Sequence, residues 1–171
     1  VREKNLLIKT TEPSGVLKMS KITLLNKNIQ KTFIWLKDIE DNMEWLYEDK
    51  STALALLRAV LCALREHLPL NNLAHFSAQL PVVIRGFLFQ DWNPEHVAFK
   101  ERKAEDFLAS VKAHLPESAQ ALDMEKVVTA VFTTIAGEID LGEINKLKKI
   151  LPKPLSNFFP DVTDRGGFSF N

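Results

Sequence analysis

Cysteine is almost missing from this chain. Cys62 stands alone, so no internal disulfide can form, and the sequence fits a reducing compartment, the cytoplasm. An excess of charge is missing too: 22 basic residues face 22 acidic ones, for a formal net charge of +0. A protein that grips nucleic-acid backbone needs surplus Lys and Arg on one face, and so does one drawn to anionic membranes, so this balance argues against both tasks. No apolar run approaches the roughly 20 residues that cross a bilayer. Metal-ligand spacing is absent as well. His67, His75, His96 and His114 are scattered, and no H-E-x-x-H, C-x-x-C or Glu-x-x-His pair occurs. No metal or cofactor is expected. Gly166-Gly167 opens no helical pattern and is not a phosphate cradle.

What is present is helical periodicity in a chain of 171 residues that is 46% hydrophobic, enough to bury a core without staples. The most apolar stretch is Ala53 to Pro69. Ala53, Leu56, Leu57, Val60, Leu61, Leu64 and Leu68 recur at helical spacing, and most positions between them are apolar too. A helix greasy on nearly every side belongs in the middle of a bundle. Before it, Phe33, Ile34, Leu36, Ile39 and Met43 predict a helix over about 26–42, with Trp35 adding apolar bulk. Trp45, Leu46 and Tyr47 are expected to pack where the chain turns. Asp49 or Ser51 is placed to cap the central helix, and Pro69 stops it.

The predicted elements continue to the end. A third helix runs over 71–79, and a fourth is opened by Leu80-Pro81 with Ile84, Phe87 and Leu88 inward. Val97 to Lys103 reads as a solvated connector. A fifth helix carries Phe107, Leu108, Val111 and Leu115 and stops at Pro116. Asp123 caps a sixth, a seventh lies within 139–150, and Leu151-Pro152 opens an eighth that ends at Phe159-Pro160. Val1 to Lys18 has no apolar period and is read as a flexible or non-native extension, with the helical domain over 19–160 and a loose tail over 161–171.

The second half copies the first at an offset of 71 residues. Leu56, Leu57, Val60, Leu61, Leu64 and Leu68 fall on Val127, Val128, Val131, Phe132, Ile135 and Ile139. Leu70, Leu73, Phe76, Leu80, Ile84, Phe87 and Leu88 fall on Leu141, Ile144, Leu147, Leu151, Leu155, Phe158 and Phe159. Pro81 falls on Pro152. The expected fold is therefore all-α, with eight helices as two tandem four-helix units (about 27–95 and 104–160) packed into one bundle-like domain. Residues needed only to build that fold should appear in both units. Arg58, Cys62, Arg65, Gln79, Arg85 and Trp92 do not; their counterparts are Thr129, Thr133, Ala136, Ile150, Ser156 and Thr163.

The same residues carry a resemblance. The run from Leu57-Arg58 through Leu64-Arg65, then Ala78-Gln79-Leu80-Pro81, Arg85-Gly86 and Trp92-Asn93-Pro94, resembles the bacterial domain-of-unknown-function family 2267 over roughly 30–159. The resemblance implies an all-α, two-repeat fold and no reaction. One departure is Phe87-Leu88-Phe89, where members usually carry tyrosine.

Two functional readings follow. The first is a non-enzymatic cytoplasmic interaction or scaffold module, with a protein partner or a second copy. The second is a binder of a small anionic molecule, with an enzyme as its extension, built on Arg58, Arg65, Gln79, Arg85 and Trp92. Guanidinium groups hold carboxylate or phosphate bidentately, but they also pin helices, through pairs with Glu66, Asp38 or Asp91 or, for Arg85, through bonds to a carboxylate or to backbone carbonyls of the first unit, the expected role here. Cys62 sits between Arg58 and Arg65, which would lower a thiol pKa, yet a small buried residue is the expected role. No catalytic residue is assigned.

Overall fold

A computed structural model of the chain describes residues 22–95 and 103–161. Among them lie eight α-helices and no strand: α1 (Thr23–Asn42), α2 (Lys50–Glu66), α3 (Leu70–Gln79), α4 (Val82–Phe89), α5 (Ala104–His114), α6 (Met124–Glu138), α7 (Leu141–Ile150) and α8 (Lys153–Ser156). A 3-10 turn (Glu117–Ala119) links α5 to α6. The expectations for residues 1–18, for the connector before Lys103 and for the tail beyond Asp161 lie outside the described residues.

Local chemistry sets the helix ends. Asp49 caps α2 by accepting from the Thr52 amide at 2.9 Å and the Thr52 hydroxyl at 2.6 Å. Asp123 and Asp140 do the same for the amides opening α6 and α7. Pro81 and Pro152 occupy the N-cap itself, one position earlier than the first helical residue where proline is commonest. Helix α2 ends three residues before Pro69, which in turn caps α3. The eighth helix is only Lys153–Ser156, shorter than the pattern to Phe159 predicts.

Helices α2 and α6 form the centre. Helix α2 packs on α1, α4, α5 and α6, and α6 packs also on α1 and α5. All seven residues of the α2 stripe are buried, as are Val127, Val128, Val131, Phe132 and Ile135 of α6. The core closes through aromatic contacts: Phe107 lies 6.0 Å from Phe132, which stacks on Phe159 at 4.1 Å. Buried Glu40 ties the turn between α1 and α2, accepting from the Asp49 amide and the Lys50 ammonium.

Four expectations need correction. On α1, Trp35, Leu36, Ile39 and Met43 are buried, but Phe33 and Ile34 are 53% and 52% exposed. Thr32, Trp35, Leu36 and Ile39 define the buried face of α1, and Phe33 and Ile34, between them in sequence, project away from it. In the turn, Trp45 packs on the core while Leu46 is fully exposed and Tyr47 mostly so. Phe87 is only half-buried, since it faces a cleft instead of the core. Leu70 and Leu141, 71 residues apart and expected to correspond, are both exposed in the first turns of α3 and α7.

Candidate functional site

Residues three, four or seven apart on a helix share a face. Ala55, Arg58, Ala59, Cys62 and Arg65 do so on α2, and they form one wall of a cleft of about 580 Å³. The opposite wall is the end of α4, with Phe87, Gln90 and Asp91. His114 and Pro116, at the end of α5, close the third side. Asp91 adopts a φ of 54°, a left-handed conformation that non-glycine residues seldom take. The chain there turns back, so the Trp92 amide donates to the Phe89 carbonyl and the two rings meet edge to face at 5.4 Å.

The arginines have distinct surroundings. Arg65 is 8% exposed, and its Nη1 donates to the carbonyls of Leu88 at 2.8 Å and Gln90 at 2.7 Å. Those oxygens belong to the end of α4, where the helix has no further amide to offer them. A cation there also complements the helix dipole. The Nε of Arg65 is buried without a partner. Arg58 is exposed; it donates to the Gln90 side-chain oxygen at 2.9 Å and lies over the Phe87 ring at 5.4 Å. Arg85 lies outside the cleft. Its Nε donates to the Ser77 carbonyl at 2.8 Å, and its Nη2 to those of Ala78 and Leu80 at 3.2 Å each. It therefore closes α3 as Arg65 closes α4.

No arginine forms a salt bridge with a carboxylate among the described residues. The expected partners Glu66, Asp38 and Asp91 do not serve. The cleft brings together Arg58 and Arg65 only. Gln79 is exposed near the end of α3, and Trp92 is packed partly against the core; neither lines it. Gly86 is exposed, and a Cβ there would meet nothing within 4 Å. Gln90 and His114 are the lining residues that the sequence did not single out. Gln90 could have been found as the residue ending the R-G-aromatic run; nothing local ties His114 to α2.

Burial pushes the Cys62 thiol above its ordinary range, and Glu66 and Asp91 reinforce that, against the opposing pull of Arg65 and Arg58. Cys62 is half-buried on the cleft wall and not in the core as expected, and a thiol held protonated is a poor nucleophile. His114 donates from Nδ1 to the Ser110 carbonyl, 2.8 Å away, and its Nε2 lies 3.9 Å from Glu66. No group of three or more His, Cys, Asp or Glu among the described residues could hold a metal ion, and no helix there is long and apolar enough to cross a membrane.

The family model described as an uncharacterized conserved protein (DUF2267) matches residues 33–158, and the chain belongs to that family. No curated protein matches it significantly. The match runs from α1 into the turn after α8, so the whole cleft lies within it.

Proposed function

We propose that the protein is a non-enzymatic interaction module of the cytoplasm, and that the amino-terminal half of α1 docks on a second copy of the chain. The observation that carries this reading is the uncovered apolar face of that half-helix. No residue from 22 to 31 is buried, although Ile22, Leu24, Leu25 and Ile29 are all large and apolar. Ile22, Leu25, Ile29 and Phe33, spaced by three, four and four, fall on one face at 3.6 residues per turn. An isolated helical stretch of this length is marginal in water, so packing on a partner is what would hold it.

The occupant is argued from charge. The positions flanking that stripe are Asn26, Asn28, Gln30 and Thr32, all uncharged, while Lys27 and Lys31 fall on the opposite side. Two copies can therefore meet along the stripe without setting like charges face to face. Sedimentation equilibrium on the full chain tests this. A dimer at micromolar concentration, converted to monomer by Ile29→Glu with unchanged helical circular dichroism, is expected. A monomer at all concentrations overturns it; if Ile29→Glu then lowers the melting temperature, the face is covered by residues 1–21 of the same chain.

We also infer that α1–α4 and α5–α8 are copies of one unit. Supporting this, α3 and α7 are each 10 residues long, and Pro81 and Pro152 hold the same N-cap position. The helix contacts also exchange in pairs: α1 with α2 and α5 with α6, α1 with α6 and α5 with α2, α1 with α4 and α5 with α8.

A further inference from the structure

We propose that the cleft between α2, the end of α4 and the end of α5 binds a small organic carboxylate, with its oxygens toward Arg58 and its apolar body against Ala55, Ala59 and Phe87. Three observations carry this. The space is large enough, about 580 Å³, in the range that holds small ligands. Two guanidinium groups line it, and neither pairs with a carboxylate among the described residues. Arg65 is the more telling of the two: it is a nearly buried cation satisfied only by two carbonyl dipoles, with its Nε unpartnered. A buried charge without a counter-ion is unfavourable, and an anion in the cleft would offset that cost. Arg58 has one bond to Gln90 and so keeps further N–H donors for a planar, bidentate oxyanion.

The walls choose among anions. Ala55, Ala59, Pro116 and the part of Phe87 that lines the cleft offer apolar contact that a bare hydrated phosphate cannot use. Asp91, also on the wall, opposes a second negative charge on the ligand. A monoanion with a compact flat body satisfies both constraints, and benzoate is the probe of that class.

Cys62 lines the same cleft and is the only cysteine, so it reports occupancy. The experiment measures the rate of Cys62 alkylation by iodoacetamide at one fixed pH. Full-length protein is compared with and without benzoate, and with inorganic phosphate or chloride at equal ionic strength. Benzoate is expected to slow alkylation severalfold, with phosphate and chloride having little effect. In Arg58→Gln the benzoate protection should be lost. Arg58 is exposed, so this variant should retain its helical circular dichroism, and comparing rates within each protein removes the direct influence of Arg58 on the thiol. Alkylation indifferent to benzoate, equal protection in Arg58→Gln, or phosphate protecting as well as benzoate would each overturn the assignment.

Discussion

Positions 71 apart can be set side by side in the two halves, and the arginines make the comparison instructive. In the first half, Arg65 reaches the carbonyls closing α4, which runs for 8 residues. In the second half, the matching position is Ala136, and α8 runs for only 4. Arg85 holds three carbonyls around the end of α3, whereas its counterpart Ser156 donates at 3.0 Å to Lys153 within its own short helix. The apolar residues expected to correspond, 71 apart, share the same degree of burial; the ends of the helices differ. Arg65, found only in the first half, ties the end of a longer α4 to α2, and the cleft is the space left between them.

The core comparison yields the largest expected effects. Leu64→Ala and Ile135→Ala each empty a fully buried position on α2 and α6. Each should cost about 2–5 kcal/mol in a denaturant melt. A large loss at one site and almost none at the other would break the equivalence of the two central helices.

Caps come next. Asp49→Ala and Asp123→Ala should each cost about 1 kcal/mol, since each removes the acceptor for amides opening a central helix. The Asp49 carboxyl is held below its ordinary value of 3.8 by the Thr52 hydroxyl and amide. Its contribution is present above that value and lost as pH falls through the lowered one, so the Asp49→Ala deficit should shrink in acid.

A smaller effect with the opposite sign is expected where α1 meets α6. Burial raises the Asp38 carboxyl above its ordinary 3.8, and the neighbouring carboxylates Glu138 and Asp41 raise it further. The folded state then keeps a proton that the unfolded chain has released, so Asp38 lowers stability as pH rises above 3.8. Asp38→Asn should therefore raise the denaturation midpoint at pH 7, and it should change little at pH 3, where both states are protonated. Melts at the two pH values check the sign.

The sequence made the helices legible because their signals are local. Asp49 and Asp123 announce α2 and α6, prolines separate the shorter helices, and the stripe from Ala53 to Leu68 marks the centre. Phe33 and Ile34 show where this fails: periodicity identifies an apolar face but not whether another helix reaches it. The site was half legible. Arg58 and Arg65 are seven apart on one helix, so their shared wall follows from spacing. The acceptors for Arg65 and Arg85 are backbone carbonyls, one of the two kinds expected for Arg85; they carry no sequence signature, so which carbonyls serve is not legible. Gln79 and Trp92 were joined to the arginines by being unique to the first half, and that property says nothing about convergence. His114 arrives from α5 and is visible only once the fold brings that helix beside α2.

The division of labour among the arginines is tested most directly by urea melts of Arg65→Gln, Arg85→Gln and Arg58→Gln under one condition. Arg65→Gln should be the most destabilising, because it leaves the buried ends of α4 poorly satisfied, a loss of about 1–3 kcal/mol. Arg85→Gln should cost less, its side chain being more exposed, and Arg58→Gln should lie within about 0.5 kcal/mol of wild type, as exposed substitutions usually do. An Arg58→Gln loss as large as that of Arg65→Gln would contradict the account, since Arg58 would then be a structural residue and not the one left free for a ligand.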